Sequence, residues 1–319
     1  MSLALKEAWK YQGLTYPNPA VGCCVVSGNG KILSVEAHKK AGTPHAEVLA
    51  LQSAYYKLTS DEAILQLNRS NDIHDFLLLK HNDIFKECLI YTTLEPCASI
   101  AKTPACSNLL TKLKLKKVYI GSSDSTQSDF SFNAEFGVLK KECDDLLQPF
   151  NLWQKKNFVF FKWAQRLNGT TDDGVITSKE TRKLTHGMRD VCDLLVVGGN
   201  TVRVDRPTLD ARDVDGKASD ILIYSRQKEF DKSAPLFNVK NRKVIISDSL
   251  DELYNYKNIM IEGTSNMYAL TKEKVDYYLC YIAPKFGGNA KFETNDDKFE
   301  ILNIQKEHQD IISWMKQRK

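Results

Sequence analysis

Four residues in the first third of the chain have the types and spacing of a hydrolytic metal centre. His45 and Glu47 stand in the triplet His45-Ala46-Glu47, Cys97 follows Pro96, and Cys106 comes nine positions after Cys97. One imidazole and two thiolates supply three ligands of a tetrahedral Zn2+ and leave the fourth corner to water, the arrangement of catalytic rather than structural zinc. The ion would lower the pKa of that water toward neutrality and so supply hydroxide. Glu47, two residues past His45, would lie about 200° around an ideal helix from it. That direction makes Glu47 a poor second ligand and a good neighbour for the water. Hydrolytic deamination of an amidine-like ring carbon needs such a carboxylate to carry the water's proton to the departing amine. The competing reading is a surface His-Glu pair with two unrelated thiols, and the strand or helix end beside each element argues against it.

The elements that must position these groups are readable around them. Residues 3–14 form a short helix, and Tyr16-Pro17-Asn18-Pro19 cannot be helical. Strands 20–27 and 32–38 flank the hairpin turn Gly28-Asn29-Gly30-Lys31. Thr43-Pro44-His45 opens a helix whose apolar residues Val48, Leu49, Leu51 and Ala54 recur on a helical period. Residues 58–87, polar and free of glycine and proline, read as an inserted helical excursion. Strand 89–94, loop 95–105, a helix from Cys106, strand 117–121, loop 125–135 and a largely helical 136–153 follow. This β-β-α-β-α-β order predicts an α/β sandwich. A second alternation then begins: strand 158–165, helix 178–192, strands 194–198, 221–225, 243–247 and 258–262, helix 266–274 and strand 275–283. Two α/β domains are expected, at 1–150 and 157–319.

Composition bounds the function. The 319 residues suffice for two domains, and 44 Lys plus Arg against 40 Asp plus Glu leave a net charge of only +4, too balanced for nucleic acid as the default partner. Apolar runs such as Leu194-Leu195-Val196-Val197 fall far short of the about 20 residues a membrane span needs. The first residues show no signal-peptide core, so the eight cysteines are expected as free thiols in a reducing, cytoplasmic compartment. Cys23, Cys24, Cys192 and Cys280, inside apolar runs, read as small core residues.

Zinc nucleobase deaminases carry H-x-E with P-C-x-x-C; here the cysteine step is nine, not three. The stretches Asn18-Pro19-Ala20-Val21-Gly22-Cys23, His45-Ala46-Glu47, Thr93-Leu94-Glu95-Pro96-Cys97 and Lys102-Thr103-Pro104-Ala105-Cys106 resemble the bifunctional deaminase/reductases of riboflavin biosynthesis, which have P-N-P-A-V-G, H-A-E and a long-spaced P-C-x8-C. In the second half, Lys162 to Gly169 resembles K-x-A-x-S-L-D-G, Val175-Ile176-Thr177 resembles W-I-T, and Arg182 through Arg189 resembles the arginine-rich helix. Gly199 to Leu209 resembles G-x-T-V-L-A-D-D-P-x-L, Ile261-Glu262-Gly263 resembles V-E-G-G, and Tyr281 to Gly288 resembles the closing strand.

The resemblance implies a cytidine-deaminase-like α/β/α sandwich followed by a dihydrofolate-reductase-like α/β domain. It implies Zn2+ and NADPH as cofactors and a phosphorylated pyrimidine as substrate. A diaminopyrimidinone carrying a ribosylamino 5-phosphate would be deaminated and its ribosyl chain then reduced to ribityl. Substrate would meet Asn18, Lys102 and Thr103 in the first half, and Asp173, Arg189, Leu209, Arg212 and Glu262 in the second. Lys162 and Asp205 would be polar partners of the reduction. Ala164, Val175, Thr201, Asp205, Ser225, Gly263, Thr264, Ser265 and Asn266 would line the cofactor. A homo-oligomer, dimer or larger, is also implied.

The chain departs from the family pattern at several points. Ala98-Ser99 replaces a Ser-His pair, Ala101-Lys102 a Gly-basic pair, and Asp124-Ser125-Thr126 an Asp-Pro-Asn-Pro. Asn168 replaces Asp, Val175 replaces Trp and Arg206 replaces the second Asp. Three alternatives remain open: a deaminase whose second half has degenerated, a cytidine or transfer-RNA adenosine deaminase, and a non-enzymatic zinc protein with a fourth ligand from Cys23, Cys24 or His38.

Overall fold

The computed structural model describes residues 1–98, 104–124, 131–172 and 174–318. The chain divides into two compact units, Met1–Phe150 and Asn151–Lys319.

The first unit is built on a five-stranded sheet in the order β2-β1-β3-β4-β5. Strands β1 (Gly22–Val26) and β2 (Ile32–Ala37) form the hairpin, turned by Gly30 at φ 85°. Strand β3 (Leu89–Leu94) runs antiparallel to β1 and parallel to β4 (Lys117–Ser122), and β4 runs parallel to β5 (Ala134–Phe136). Helix α1 (Ser2–Trp9) is shorter than expected, the chain turning after Trp9 and entering the left-handed region at Gly13. It lies so close on β1 that a Cβ on Gly22 would come within 1.9 Å of the Ala4 carbonyl oxygen. Helix α2 (Ala46–Thr59) buries Val48 and Leu51 in one core with Ile90, Val118 and Ile120.

The inserted segment adds a turn of 3-10 helix, Glu62–Gln66, and helix α3 (Ser70–Lys80). Gln52 on α2 ties it down by donating to the carbonyls of Ile64 and Leu67, both at 2.8 Å. Tyr55 and Phe76 add an edge-to-face contact at 5.4 Å. Helix α4 (Cys106–Lys112) and helix α5 (Lys140–Trp153) complete the unit. The stretch expected as largely helical from 136 begins instead as a short strand, because residues 134–136 pair with β4 before the chain turns at Gly137.

The second unit is an eight-stranded sheet. Its parallel part comprises β6 (Phe158–Arg166), β7 (Leu194–Gly198), β8 (Asp220–Tyr224), β9 (Val244–Ser247), β10 (Asn258–Glu262) and β11 (Tyr277–Ala283). Its central strands read as unbroken apolar runs because both faces are covered: Val159 to Phe161, Leu194 to Val197 and Ile259 to Ile261 are all buried. Helix α6 (Lys179–Val191) starts at Ser178, whose hydroxyl accepts from the Thr181 amide at 3.3 Å. The Ser178 amide itself donates to the fully buried Asp310 carboxylate at 2.7 Å. Two short helices, α7 (Gly199–Asp205) and α8 (Ser265–Thr271), follow β7 and β10 directly.

Two features go beyond the sequence reading. Gly199 opens a helix in a stretch, 199–220, to which no element was assigned. A C-terminal hairpin, β12 (Phe299–Glu307) and β13 (Asp310–Gln317), extends the sheet, giving the order β12-β13-β11-β6-β10-β7-β8-β9. Residues of β12 are at most half-buried, so the strand carries little of the apolar signal by which strands are read.

Two candidate active sites

In the first unit the ends of three elements bring the metal-binding types together. His45 occupies the position before α2, with extended backbone, and so stands outside the helix rather than in its first turn. Cys97 follows β3, and Cys106 opens α4. The ligand atoms of His45, Cys97 and Cys106 all lie within 4.8 Å of one another. His45 Nδ1 is 3.7 Å from the Cys97 sulfur and 3.5 Å from that of Cys106. The Cys106 amide donates to the Cys97 sulfur at 3.3 Å. Hydrogen bonds from Cys106 and then His45 favour the Cys97 thiolate against its burial. The bond Cys106 gives to Cys97, together with burial, pushes its own pKa up. A soft, partly ionised S2N set in a pocket of this size fits Zn2+.

Glu47 lies in the first turn of α2 and is 4% exposed. Burial pushes its carboxyl up to about 7, the nearby His45 pulling the other way. His38, named as a possible fourth ligand, is engaged elsewhere: Nδ1 is 3.2 Å from the Pro44 carbonyl and Nε2 3.1 Å from the Asn18 amide nitrogen. Burial pushes its pKa down to about 4. Neither His38, Cys23 nor Cys24 joins the three-donor group among the described residues. Asn18 is thereby held at the end of β2, half-buried. Lys102 and Thr103 lie outside the described residues, as do parts of loops 95–105 and 125–135.

In the second unit, Lys162, midway along β6, stands opposite Glu262, the last residue of the paired parallel strand β10, whose carboxyl end is where α/β sheets bind ligands. Lys162 Nζ is 3.6 Å from the Glu262 carboxylate and sits 5.1 Å above the Tyr281 ring. Arg189 on α6 pairs with the same carboxylate at 2.8 Å. Burial, then Arg189, lowers the Lys162 pKa. Burial opposes ionisation of Glu262 as well, but Arg189 and Lys162 together outweigh it and hold the carboxyl below its usual range.

Beside this cluster lies a cavity of about 240 Å3 whose lining includes Lys162, Ala164, Val175, Arg182, His186 and Arg189. His186 had not been singled out in the sequence; with Arg182 and Arg189, the ends of the stretch read as the arginine-rich helix, it falls at i, i+4 and i+7 on α6, one helical face. His186 Nδ1 accepts from the Asp213 amide at 3.3 Å. Gly263 closes the end of β10 under Met267, and Thr264 precedes α8 without capping it through its side chain. Ser265 accepts from the Glu293 amide at 2.7 Å, and Asn266 is exposed on α8. Thr201 lies half-buried in α7, and Ser225 accepts from Arg203 at 3.2 Å.

Asp205 ends α7 exposed and is not among the residues lining the cavity. Leu209 is buried in the left-handed region at φ 54°, its carbonyl held by Arg242. Arg212 is paired with Asp210 at 2.9 Å and largely exposed. Asp173 lies outside the described residues.

Comparison with known proteins agrees with both halves. Residues 1–122 match the cytidine and deoxycytidylate deaminase zinc-binding region, and residues 158–314 match the RibD C-terminal domain. The riboflavin biosynthesis protein RibD of Aquifex aeolicus is 31% identical over 77% of this chain and 66%, just under two thirds, of its own length. That of Actinobacillus pleuropneumoniae is 28% identical over 92% of this chain and 85% of its own. The solved diaminohydroxyphosphoribosylaminopyrimidine deaminase/5-amino-6-(5-phosphoribosylamino)uracil reductase of Thermotoga maritima superposes with a TM-score of 0.65. It shares 24% identity and covers 100% of this chain and 97% of that one. The fold and sites define a deaminase unit with a zinc-binding region followed by an α/β unit of the RibD C-terminal type. The chain belongs to the bifunctional deaminase/reductase family of riboflavin biosynthesis.

Proposed function

We propose that the chain carries out two consecutive steps of riboflavin biosynthesis. The unit Met1–Phe150 hydrolyses the 2-amino group of 2,5-diamino-6-ribosylamino-pyrimidinone 5-phosphate, releasing ammonia and leaving a ring carbonyl. The unit Asn151–Lys319 then reduces the ribosyl chain, giving 5-amino-6-ribitylaminouracil 5-phosphate. The observation that carries this reading is the convergence of His45, Cys97 and Cys106 with the buried Glu47 carboxyl beside them.

His45, Cys97 and Cys106 would hold zinc, which would supply the Lewis-acid charge that lets a water lose its proton near neutral pH. Glu47 does the proton work. Its place in the first turn of α2, two residues past the ligand His45, lets it take a proton from the attacking water and return it to the departing amine. Asn18, steadied by His38, orients the ring, and Lys102 with Thr103 holds the phosphate.

NADPH, when bound, would supply the hydride that reduces C1 of the ring-opened sugar imine. Ala164, Val175, Thr201, Ser225 and residues 263–266 line its site. Lys162, buried and steadied by Glu262, donates the balancing proton, with Asp205 as a further polar partner. Arg189, Arg212, Leu209 and Asp173 complete the substrate side. The chain works in the cytoplasm, as a homo-oligomer, on a small phosphorylated pyrimidine and not on nucleic acid. A deaminase with an inactive second half is the other reading. It is favoured by Val175, 61% exposed where the family pattern carries a tryptophan that would stack.

Purified, zinc-loaded protein is to be given the diaminopyrimidinone substrate with and without NADPH and the products weighed by mass spectrometry. Deamination without NADPH, followed by gain of two hydrogens with it, is the expected result. Deamination alone selects the second reading, and no deamination removes both.

A further inference from the structure

Helix α3 plays no part in the chemistry derived so far, yet it packs on α2 and α4, the two helices at whose starts His45, Glu47 and Cys106 stand. Its buried residues are Ser70, Ile73, His74 and Leu77, a stripe at i, i+3, i+4 and i+7. Ile73 and Leu77 pack in one cluster with Ala46 and Cys106, the first residues of α2 and α4, and Cys97 packs against that cluster. His74 lies on the stripe between Ile73 and Leu77, is 2% exposed, and interacts electrostatically with both Cys97 and His45. Among the described residues its Nε2 has no hydrogen-bond partner, and neither does the Ser70 hydroxyl one turn earlier on the same face.

A buried polar atom left unpaired costs about 1–3 kcal/mol, and most such atoms in native proteins are paired. Here two of them share one helix face next to the place in this unit that must receive a polar heterocycle. Burial lowers the His74 pKa, and Nε2 of an imidazole can donate or accept according to its tautomer. Deep burial does not set His74 apart from working groups of the centre: Glu47 is 4% exposed and Cys106 1%.

We propose that His74 is a substrate-binding residue of the deaminase centre, its Nε2 hydrogen-bonding the edge of the pyrimidinone ring with the Ser70 hydroxyl alongside. A pyrimidinone presents N–H and C=O groups along that edge, and an imidazole with a hydroxyl four residues away matches either. The inserted segment is then a specificity element rather than a passive excursion. The inference rests on the deaminase reading above.

The test compares the zinc-loaded full chain with His74→Leu, His74→Gln and Ser70→Ala. Deaminase KM and kcat, zinc per chain, thermal midpoint and NADPH-dependent reduction of the deaminated product are measured for each. His74→Leu is expected to raise the deaminase KM about tenfold, the loss of one hydrogen bond. Its kcat should change less, and zinc content and reductase kinetics should not change. His74→Gln, which keeps a donor and an acceptor, should recover part of the loss, and Ser70→Ala should raise KM by a smaller factor. Loss of zinc in step with activity would make His74 a support of the metal and overturn the inference. An unchanged KM in a folded, zinc-loaded variant would make it a core histidine and equally overturn it. A wild-type chain that holds zinc but does not deaminate removes the functional reading and this inference together, a result visible before any variant is made.

Discussion

Glu262 grips Arg189 through both carboxylate oxygens, Nε to Oε1 at 2.9 Å and Nη2 to Oε2 at 3.1 Å. The guanidinium on α6 is therefore committed to β10, and the position of the whole basic helix face is fixed against the sheet. Removing the carboxylate leaves Arg189 and Lys162 buried beside each other without a counter-charge.

Glu262→Gln is accordingly expected to lower the unfolding free energy of the second unit by about 3–5 kcal/mol, the usual cost of breaking a buried pair, and to abolish reduction. The pair also sets a pH dependence. Glu262 has a folded pKa below its unfolded value, so its stabilisation is fully present above the unfolded pKa of about 4.3 and is lost as pH falls through the lower folded value. Urea unfolding in a pH series should show wild-type stability falling more steeply than that of Glu262→Gln below about pH 4. Parallel curves would place the stabilisation elsewhere.

Cys106→Ser should lose zinc. The wild-type chain is expected to carry one zinc through His45, Cys97 and Cys106, and the variant to fall well below that in elemental analysis. A chelator should likewise stop deamination while NADPH-dependent reduction continues, since the two chemistries belong to different units. A variant retaining a full zinc complement would show that the ion is held by other groups.

Glu47→Gln keeps the volume and the zinc donors but cannot carry a proton. Deaminase kcat is expected to fall about 10^2- to 10^4-fold, the contribution of a positioned acid/base group, with zinc content unchanged. Comparable turnover in the zinc-loaded variant would assign the proton transfer to another residue.

Gly22→Ala tests the seat of α1. The added methyl would sit 1.9 Å from the Ala4 carbonyl oxygen and 2.7 Å from its carbon, both main-chain atoms that cannot swing aside. The helix must lift off β1, and the first unit should lose about 1–3 kcal/mol as in other overpacked sites, read as a lower thermal midpoint. An unchanged midpoint would mean that α1 contributes little to this unit.

The sequence made the first unit legible because its chemistry restricts residue types. Imidazole and thiolates at helix and strand ends have few structural uses, and Pro17, Pro19, Gly30 and Pro44 punctuate the chain between elements. The central strands of the second unit were equally plain, since burial on both faces demands runs such as Phe158 to Phe161. What escaped notice shares one physical cause. Residues whose role depends on which way an ordinary helix faces leave no signal in type or spacing alone. His186 looks like a solvated helix residue until α6 is seen against the cavity, and His74 looks like part of a polar insertion until α3 is seen packed on α2 and α4. The C-terminal hairpin was missed for the related reason that β12 has little to bury.

That hairpin has a bearing on how the protein is made. The sheet of the first unit is complete once β5 has emerged, at Phe136. In the second unit β13, translated after all the other strands, is an interior strand between β11 and β12, and Asp310 at its start holds the amide that begins α6. A chain stalled on the ribosome or cut short before residue 310 would present a finished deaminase fold attached to an unclosed sheet with a bare β11 edge. Such an edge invites pairing with other chains, so the second half of the molecule is the part that most depends on synthesis running to completion.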